Sequence, residues 1–260
     1  MMMIGSHRID TIVHNKIYLN KIYLYYLCKN PQAMSVIWEE VEKNGGVNLD
    51  WGNLSGNPGA IDLLQQYPDN IGWPDLSGNP AAINMIEETP DKINWRNLSG
   101  NPAAIHLIEK ALRETPEKIC WHRLSENPAA IHLLYRALRE TPEKISWPHL
   151  SMNPAAIHIL EENPPKICWP YLSKNPAAVH LIEKVLEENP ETERINWYYL
   201  SENPNAVHIM ERFPDKISWY QMSANPNAIC FLEQNQDKLN WYRIYENPSI
   251  FVDDNDPCIK

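Results

Sequence analysis

Five histidines recur at one place in a repeated segment: His106, His132, His158, His180 and His208, with Asp62, Asn84 and Cys230 standing at the equivalent position elsewhere. Imidazoles in register could bind a metal or relay protons. Zinc takes three or four ligands at ~2.0–2.1 Å, whereas neighbouring helices pack ~8–10 Å apart, so one histidine per unit offers pairs at best. The residues that replace histidine are generic polar groups, and the column borders Glu109 and Lys110. A structural or solvent-facing role is expected, and no metal site. The five cysteines, Cys28, Cys120, Cys168, Cys230 and Cys258, make an odd count without a CxxC pair and read as thiols in a reducing compartment. Cys120 and Cys168 share a column two units apart, ~20 Å at ordinary helix spacing, and a disulfide reaches ~7 Å. Gly72, Asn94 and Ser146 occupy that same column, which suits a small capping position better than a nucleophile. No Ser/His/Asp order, glycine-rich phosphate loop or HExxH motif is present, and pairs such as Glu87-Glu88 and Glu161-Glu162 read as solvated faces. No catalytic residue and no cofactor is expected.

Charge and hydropathy narrow the partners. The 260 residues carry 23 Lys and Arg against 33 Asp and Glu, a formal charge of −10 without a basic run, which disfavours nucleic acid. A hydrophobic content of 43% suffices for a core. The most apolar N-terminal stretch, 17–28, is interrupted by Asn20 and Lys21 and falls short of the ~20 residues of a membrane span. A soluble cytoplasmic protein is expected.

The elements that position these residues come from a repeat. Asn-Pro in a Leu-Ser-x context recurs at Asn57, Asn79, Asn101, Asn127, Asn153, Asn175, Asn203 and Asn225, with degenerate copies at Asn30 and Asn247. From Asn57 onward the spacing is 22 residues, lengthened to 26 twice and to 28 once. An insertion of 4, such as Lys110 to Arg113, is about one helical turn and keeps later side chains on the same face. Asn supplies an N-cap and Pro the first helical position, so helix A is expected from each Pro, with Ala104, Ile105, Ile108, Ala111 and Leu112 on one face of the third complete copy. A short helix B is expected around each Trp, capped by Asp50, Asn94, Ser146, Asn196, Ser218 or Asn240. The fold class is all-α: an α-solenoid (superhelix) of stacked short αα-hairpins, basic unit 22 residues with 4- to 6-residue insertions. Residues 1–29 form an N-terminal cap region, 30–250 the solenoid and 251–260 a short acidic tail, giving one continuous rod of about nine hairpins. Asn44-Gly45-Gly46 is expected to end the first complete helix A.

Such short helices are marginal alone, so stacking must stabilise them. Trp51, Trp73, Trp95, Trp121, Trp147, Trp169, Trp197, Trp219 and Trp241 form a structural core column rather than exposed stacking platforms, since each lies two residues after Ile or Leu and three before Leu, Met or Ile. The two positions after each Trp are free. They change from Gly52-Asn53, Pro74-Asp75 and Arg96-Asn97 to Pro170-Tyr171, Tyr198-Tyr199, Tyr220-Gln221 and Tyr242-Arg243. Tyr and Arg are enriched at interface centres, so Tyr171, Tyr198, Tyr199, Tyr220, Tyr242 and Arg243 are candidates for a protein-binding stripe; the same tyrosines could instead simply close each hairpin.

The unit Ile-x-Trp-x-x-Leu-Ser-x-Asn-Pro-x-Ala-Ile, as in Ile93 to Ile105 and Ile145 to Ile157, resembles the repeat proteins carried in many copies by giant DNA viruses of the mimivirus group. The likeness covers residues 24 to 250 and implies a repeat scaffold made in a host cell, with a protein-binding role and no established enzymatic activity. It transfers no catalytic residue. The expected function is a non-enzymatic scaffold for protein–protein interaction; the alternative is a self-assembling structural protein, a homodimer or higher oligomer without a distinct ligand. Neither reading calls for a nucleic acid or membrane partner.

Overall fold

The computed structural model describes residues 21–251, with side chains from 24 to 250; the expectations for residues 1–20 and for the tail beyond 251 fall outside the described residues. Those described form helices and turns, with no strand among them.

Each Asn-Pro opens a turn before it opens a helix. Asn101 Oδ1 accepts the Ala103 N–H at 2.9 Å, Pro102 occupies a position whose N–H would have no partner, and Pro102–Ala104 is a single 3-10 turn. Ala104, at φ −95° and ψ 15°, sits in the bridge region, so the α-helix starts at Ile105 and not at the proline. The A helices are six residues long in plain units (Ile61–Gln66, Ile83–Glu88, Ile157–Glu162, Val207–Arg212, Ile229–Gln234) and ten in units with an inserted turn (Ile105–Glu114, Ile131–Glu140, Val179–Glu188). The first, Met34–Asn44, ends at Gly45, whose φ of 64° forms a left-handed cap with its N–H on the Val41 carbonyl. B helices begin at the tryptophans, for example Trp51–Gly56, Trp73–Gly78, Trp121–Glu126 and Trp147–Met152. Asp50, Asn94 and Asn196 cap them as expected. Ser146 and Ser218 make no capping bond, and Ser146 Oγ instead meets His149 Nδ1 at 2.7 Å.

Two buried polar ladders join the units. The Asn of each Asn-Pro is buried, and its amide donates backwards: Asn79 Nδ2 to the carbonyls of Ser55 and Asn57 at 2.9 and 3.0 Å, Asn127 Nδ2 to those of Ser99 and Asn101 at 3.1 Å each. With Oδ1 on its own turn, every polar atom of the side chain is satisfied, as burial demands. The serine two residues earlier bonds twice as well. Ser99 Oγ donates to the Trp95 carbonyl at 2.7 Å and accepts the Cys120 N–H of the next unit at 3.0 Å, and the pattern repeats from Ser55 to Ser223.

The asparagine ladder does not stop at the ends. Asn30 Nδ2 donates to the carbonyls of Tyr245 and Asn247, each at 3.0 Å, and Lys29 Nζ meets Glu246 Oε1 at 3.0 Å. Helix Lys21–Leu27 packs on the turn Arg243–Glu246, and Pro31–Ala33 on Pro248–Phe251. The solenoid is therefore a closed ring of ten asparagine stations, not a rod. The reason lies in curvature: at most joints the closest approaches between neighbouring units are those of B helix to B helix and of Pro-x-Ala turn to Pro-x-Ala turn rather than of A helix to A helix, so the stack bends toward the B side. In a closed ring the closely spaced row has the shorter circumference. The B helices line the concave side and the A helices the convex one.

The core lies between the rows. Leu54, Leu76, Leu98, Leu124, Leu150, Leu172 and Leu200 from the B helices and Ala60, Ala82, Ala104, Ala130, Ala156 and Ala178 from the turns are buried. Gly59 replaces this unit's usual alanine because an added Cβ would fall 2.7 Å from the Pro31 carbonyl oxygen. Ile108 and Ala111 are buried with Ala104, whereas Ile105 and Leu112 are only partly so. The nine tryptophans are partly buried and packed against this core, and in several units a cation from the following turn lies over the ring: Lys92 over Trp73 at 4.6 Å, Lys118 over Trp95 at 5.2 Å, Lys144 over Trp121 at 5.3 Å, Lys238 over Trp219 at 4.9 Å. The ammonium adds ~0.5–1 kcal/mol at such exposed sites.

Candidate functional site

The first turn of each B helix presents two side chains after its Trp on the concave side. Helix axes normally lie ~8–10 Å apart. Here the rings at the second of these positions are closer: His149 to Tyr171 is 6.0 Å and Tyr171 to Tyr199 is 6.2 Å between centroids. Side chains converge where the ring curves inward. Tyr198 joins the row edge-on against Tyr199 at 5.7 Å, and His122 meets His149 at 5.3 Å. Across the closing joint Tyr26 lies 6.2 Å from Tyr242, so the aromatic arc passes from the last unit into the first.

Not all six stripe candidates play the same part. Tyr198, Tyr220 and Tyr242 are 47%, 42% and 45% exposed, while Tyr171 and Tyr199 are half-buried in the row of tilted rings. Arg243 is not a free contact residue: its side chain is 12% exposed and is held by Glu246, by Gln221 at 3.1 Å and by Glu202 at 3.7 Å. It also lies over the Tyr220 ring at 5.0 Å. Arg123 in the same column makes the same pair with Glu126 three residues on, and Glu202 adds a second carboxylate at Arg243 that a guanidinium satisfies.

Electrostatics follow the same geometry. Burial pushes the His149 imidazole below its ordinary value, with Glu126 opposing and His122 assisting. Burial would also lower the Lys29 ammonium, but the bond to Glu246 and its charge outweigh it and the group is raised. Burial first, then the charge of Tyr220, raises the Tyr26 phenol. The opposite arc is small and polar. Gly56, Gly78 and Gly100 floor a shallow groove walled by Asp75, Asn97, Arg123 and Glu126.

The histidine column lies on the convex side, where four of the five histidines reach a glutamate of the preceding unit: His106 to Glu87 at 2.5 Å, His132 to Glu109 at 2.8 Å, His180 to Glu161 at 3.3 Å and His208 to Glu183 at 2.8 Å. His158 instead pairs within its own helix with Glu161 at 3.8 Å; Tyr135 stands in the preceding unit at the column that supplies glutamate to the other four. All five are exposed. Among the described residues no group of three or more His, Cys, Asp or Glu could hold a metal ion. Cys28, Cys120 and Cys168 are free thiols; Cys230 is disulfide-bonded, which departs from the reading of every cysteine as a thiol. No helix among the described residues is long and apolar enough to cross a membrane.

Sequence reasoning missed the cations over the tryptophans and the backward reach of the asparagine amides. The first had a signal, the lysine three residues before Trp in Lys92-Ile93-Asn94-Trp95 and its copies. No family model, curated protein or solved structure matches the chain.

Proposed function

We propose that the chain is a non-enzymatic repeat scaffold for protein–protein interaction, which holds another protein against the aromatic arc of its concave face. The observation that carries this reading is the row His149, Tyr171 and Tyr199, in tilted ring contact from unit to unit, with Tyr198 and Tyr220 exposed beside it. Contact between neighbouring rings restricts them before a partner arrives, and tyrosine offers contact area at small entropic cost. Closure weighs against the self-assembling alternative in its head-to-tail form, because the two end faces that such a stack would use already cover each other. We place the protein in the cytoplasm, that of the host cell on the resemblance to giant-virus repeat proteins.

The test is affinity capture with the wild type and with a Tyr198→Ser/Tyr220→Ser variant of equal helicity. At least one protein retained by the wild type is expected to be lost from the variant. The same retained set on both would overturn the reading. Light scattering over a range of concentrations separates the alternative, since a self-assembling chain gains mass with concentration.

A further inference from the structure

Among the described residues, Ile105–Glu114 and Ile131–Glu140 are the one pair of neighbouring ten-residue A helices; Val179–Glu188 has six-residue neighbours on both sides. Their added turns stand out from the convex face side by side. Between them runs a crevice lined by Glu109, Leu112, Arg113, His132, Leu133 and Arg136. Leu112 and Leu133 supply an apolar floor. Glu109 is occupied by His132, so the acidic group in the crevice is already answered. The guanidiniums are not. Arg113 has no ion pair among the described residues, and Arg136 has only an exposed partner one turn on, Glu140, at 3.4 Å. In a chain of formal charge −10, two arginines with spare donors beside two leucines are a local reversal of sign.

We propose that this crevice docks an acidic segment of a partner protein, with carboxylates on Arg113 and Arg136 and an apolar side chain between them on Leu112 and Leu133. The guanidinium fork matches a carboxylate with two parallel hydrogen bonds, and apolar contact at the floor selects against a bare polyanion. The surface lies on the opposite side of the ring from the tyrosine arc and is independent of it. Arg113 also stands in the last turn of its helix, where a cation complements the helix dipole. That stabilising role calls for no ligand and is read separately by thermal melting.

The experiment is fluorescence anisotropy of a labelled peptide, four glutamates flanking one leucine, titrated with the full chain; the same peptide with lysines is the control. The glutamate peptide is expected to bind more tightly than the lysine one and to weaken as salt rises. Arg113→Ala/Arg136→Ala should weaken binding about tenfold, and replacing both by lysine should restore part of it. Should the double variant fold poorly, Arg136→Glu alone, at an exposed mid-helix position, should abolish binding. Equal binding of both peptides, or unchanged binding by a folded arginine variant, would overturn the proposal.

Discussion

The side-chain amide of Asn30 rests on the backbone carbonyl of Asn247 at 3.0 Å, although 217 residues separate them. The contact repeats the one that Asn79 makes to Asn57 and Asn225 to Asn203, also at 3.0 Å. The front of the first unit fits the back of the tenth as any unit fits its neighbour, a heterologous contact whose rotation closes. Open solenoids need polar caps on their end units. Here each end caps the other.

The buried rungs should dominate stability. Asn127→Ala leaves the Ala129 N–H and one bond each at the Ser99 and Asn101 carbonyls without their partner. Losses of this kind cost on the order of 2–4 kcal/mol together. Urea unfolding should show the midpoint falling with the slope unchanged; a cost below about 0.5 kcal/mol would mean that the rungs are incidental.

His149 should make the ring acid-sensitive. Its imidazole is lowered by burial, so the folded state favours the neutral form. As pH falls through the ordinary histidine value of ~6.5 the unfolded chain takes up the proton first, and stability is lost over the window between that value and the depressed one. His149→Gln should therefore lose less stability than the wild type between pH 7 and pH 5, measured by thermal melting in matched salt. An equal or larger loss in the variant would show that His149 does not couple to folding.

Cys28 sits in the serine column next to the closing joint, fully buried, and burial pushes its thiol up to about 12. Thiolate is the reactive species, so alkylation at pH 8 should mark the half-exposed Cys120 and Cys168 first and reach Cys28 only as the joint opens. Peptide mapping over time reads this order. Labelling of Cys28 at the rate of Cys120 would mean that the joint stands open in solution.

Much of the architecture was legible because the chain states it many times. The Asn-Pro station, the short hairpin and the helical nature of the Lys110 to Arg113 insertion follow from local rules of capping and periodicity. Closure was not legible. It depends on the turn per unit, which is set by the difference between B-helix and A-helix spacing, and no spacing of residues along the chain carries that angle. The tryptophans, placed against the core by their spacing from Ile and Leu, are only partly buried, and the lysines that lie over several of them come from the next unit. Likewise Arg243 is held by Glu246, three residues on in its own turn, and by Glu202, whose nearness depends on stacking. The odd columns, Gly59 in place of alanine and Tyr245 in place of serine, flag the first and last joints, but only the ring gives them meaning.

The closed ring is tested most directly by zero-length carbodiimide crosslinking of the wild-type chain, analysed by mass spectrometry in the monomer fraction. Lys174 and Glu202, 3.2 Å apart in adjacent internal units, are the built-in control, since they occupy the same columns as Lys29 and Glu246. The account predicts a Lys29–Glu246 amide within one chain, formed alongside the Lys174–Glu202 amide. A monomer that yields the internal crosslink and never the closing one would contradict it.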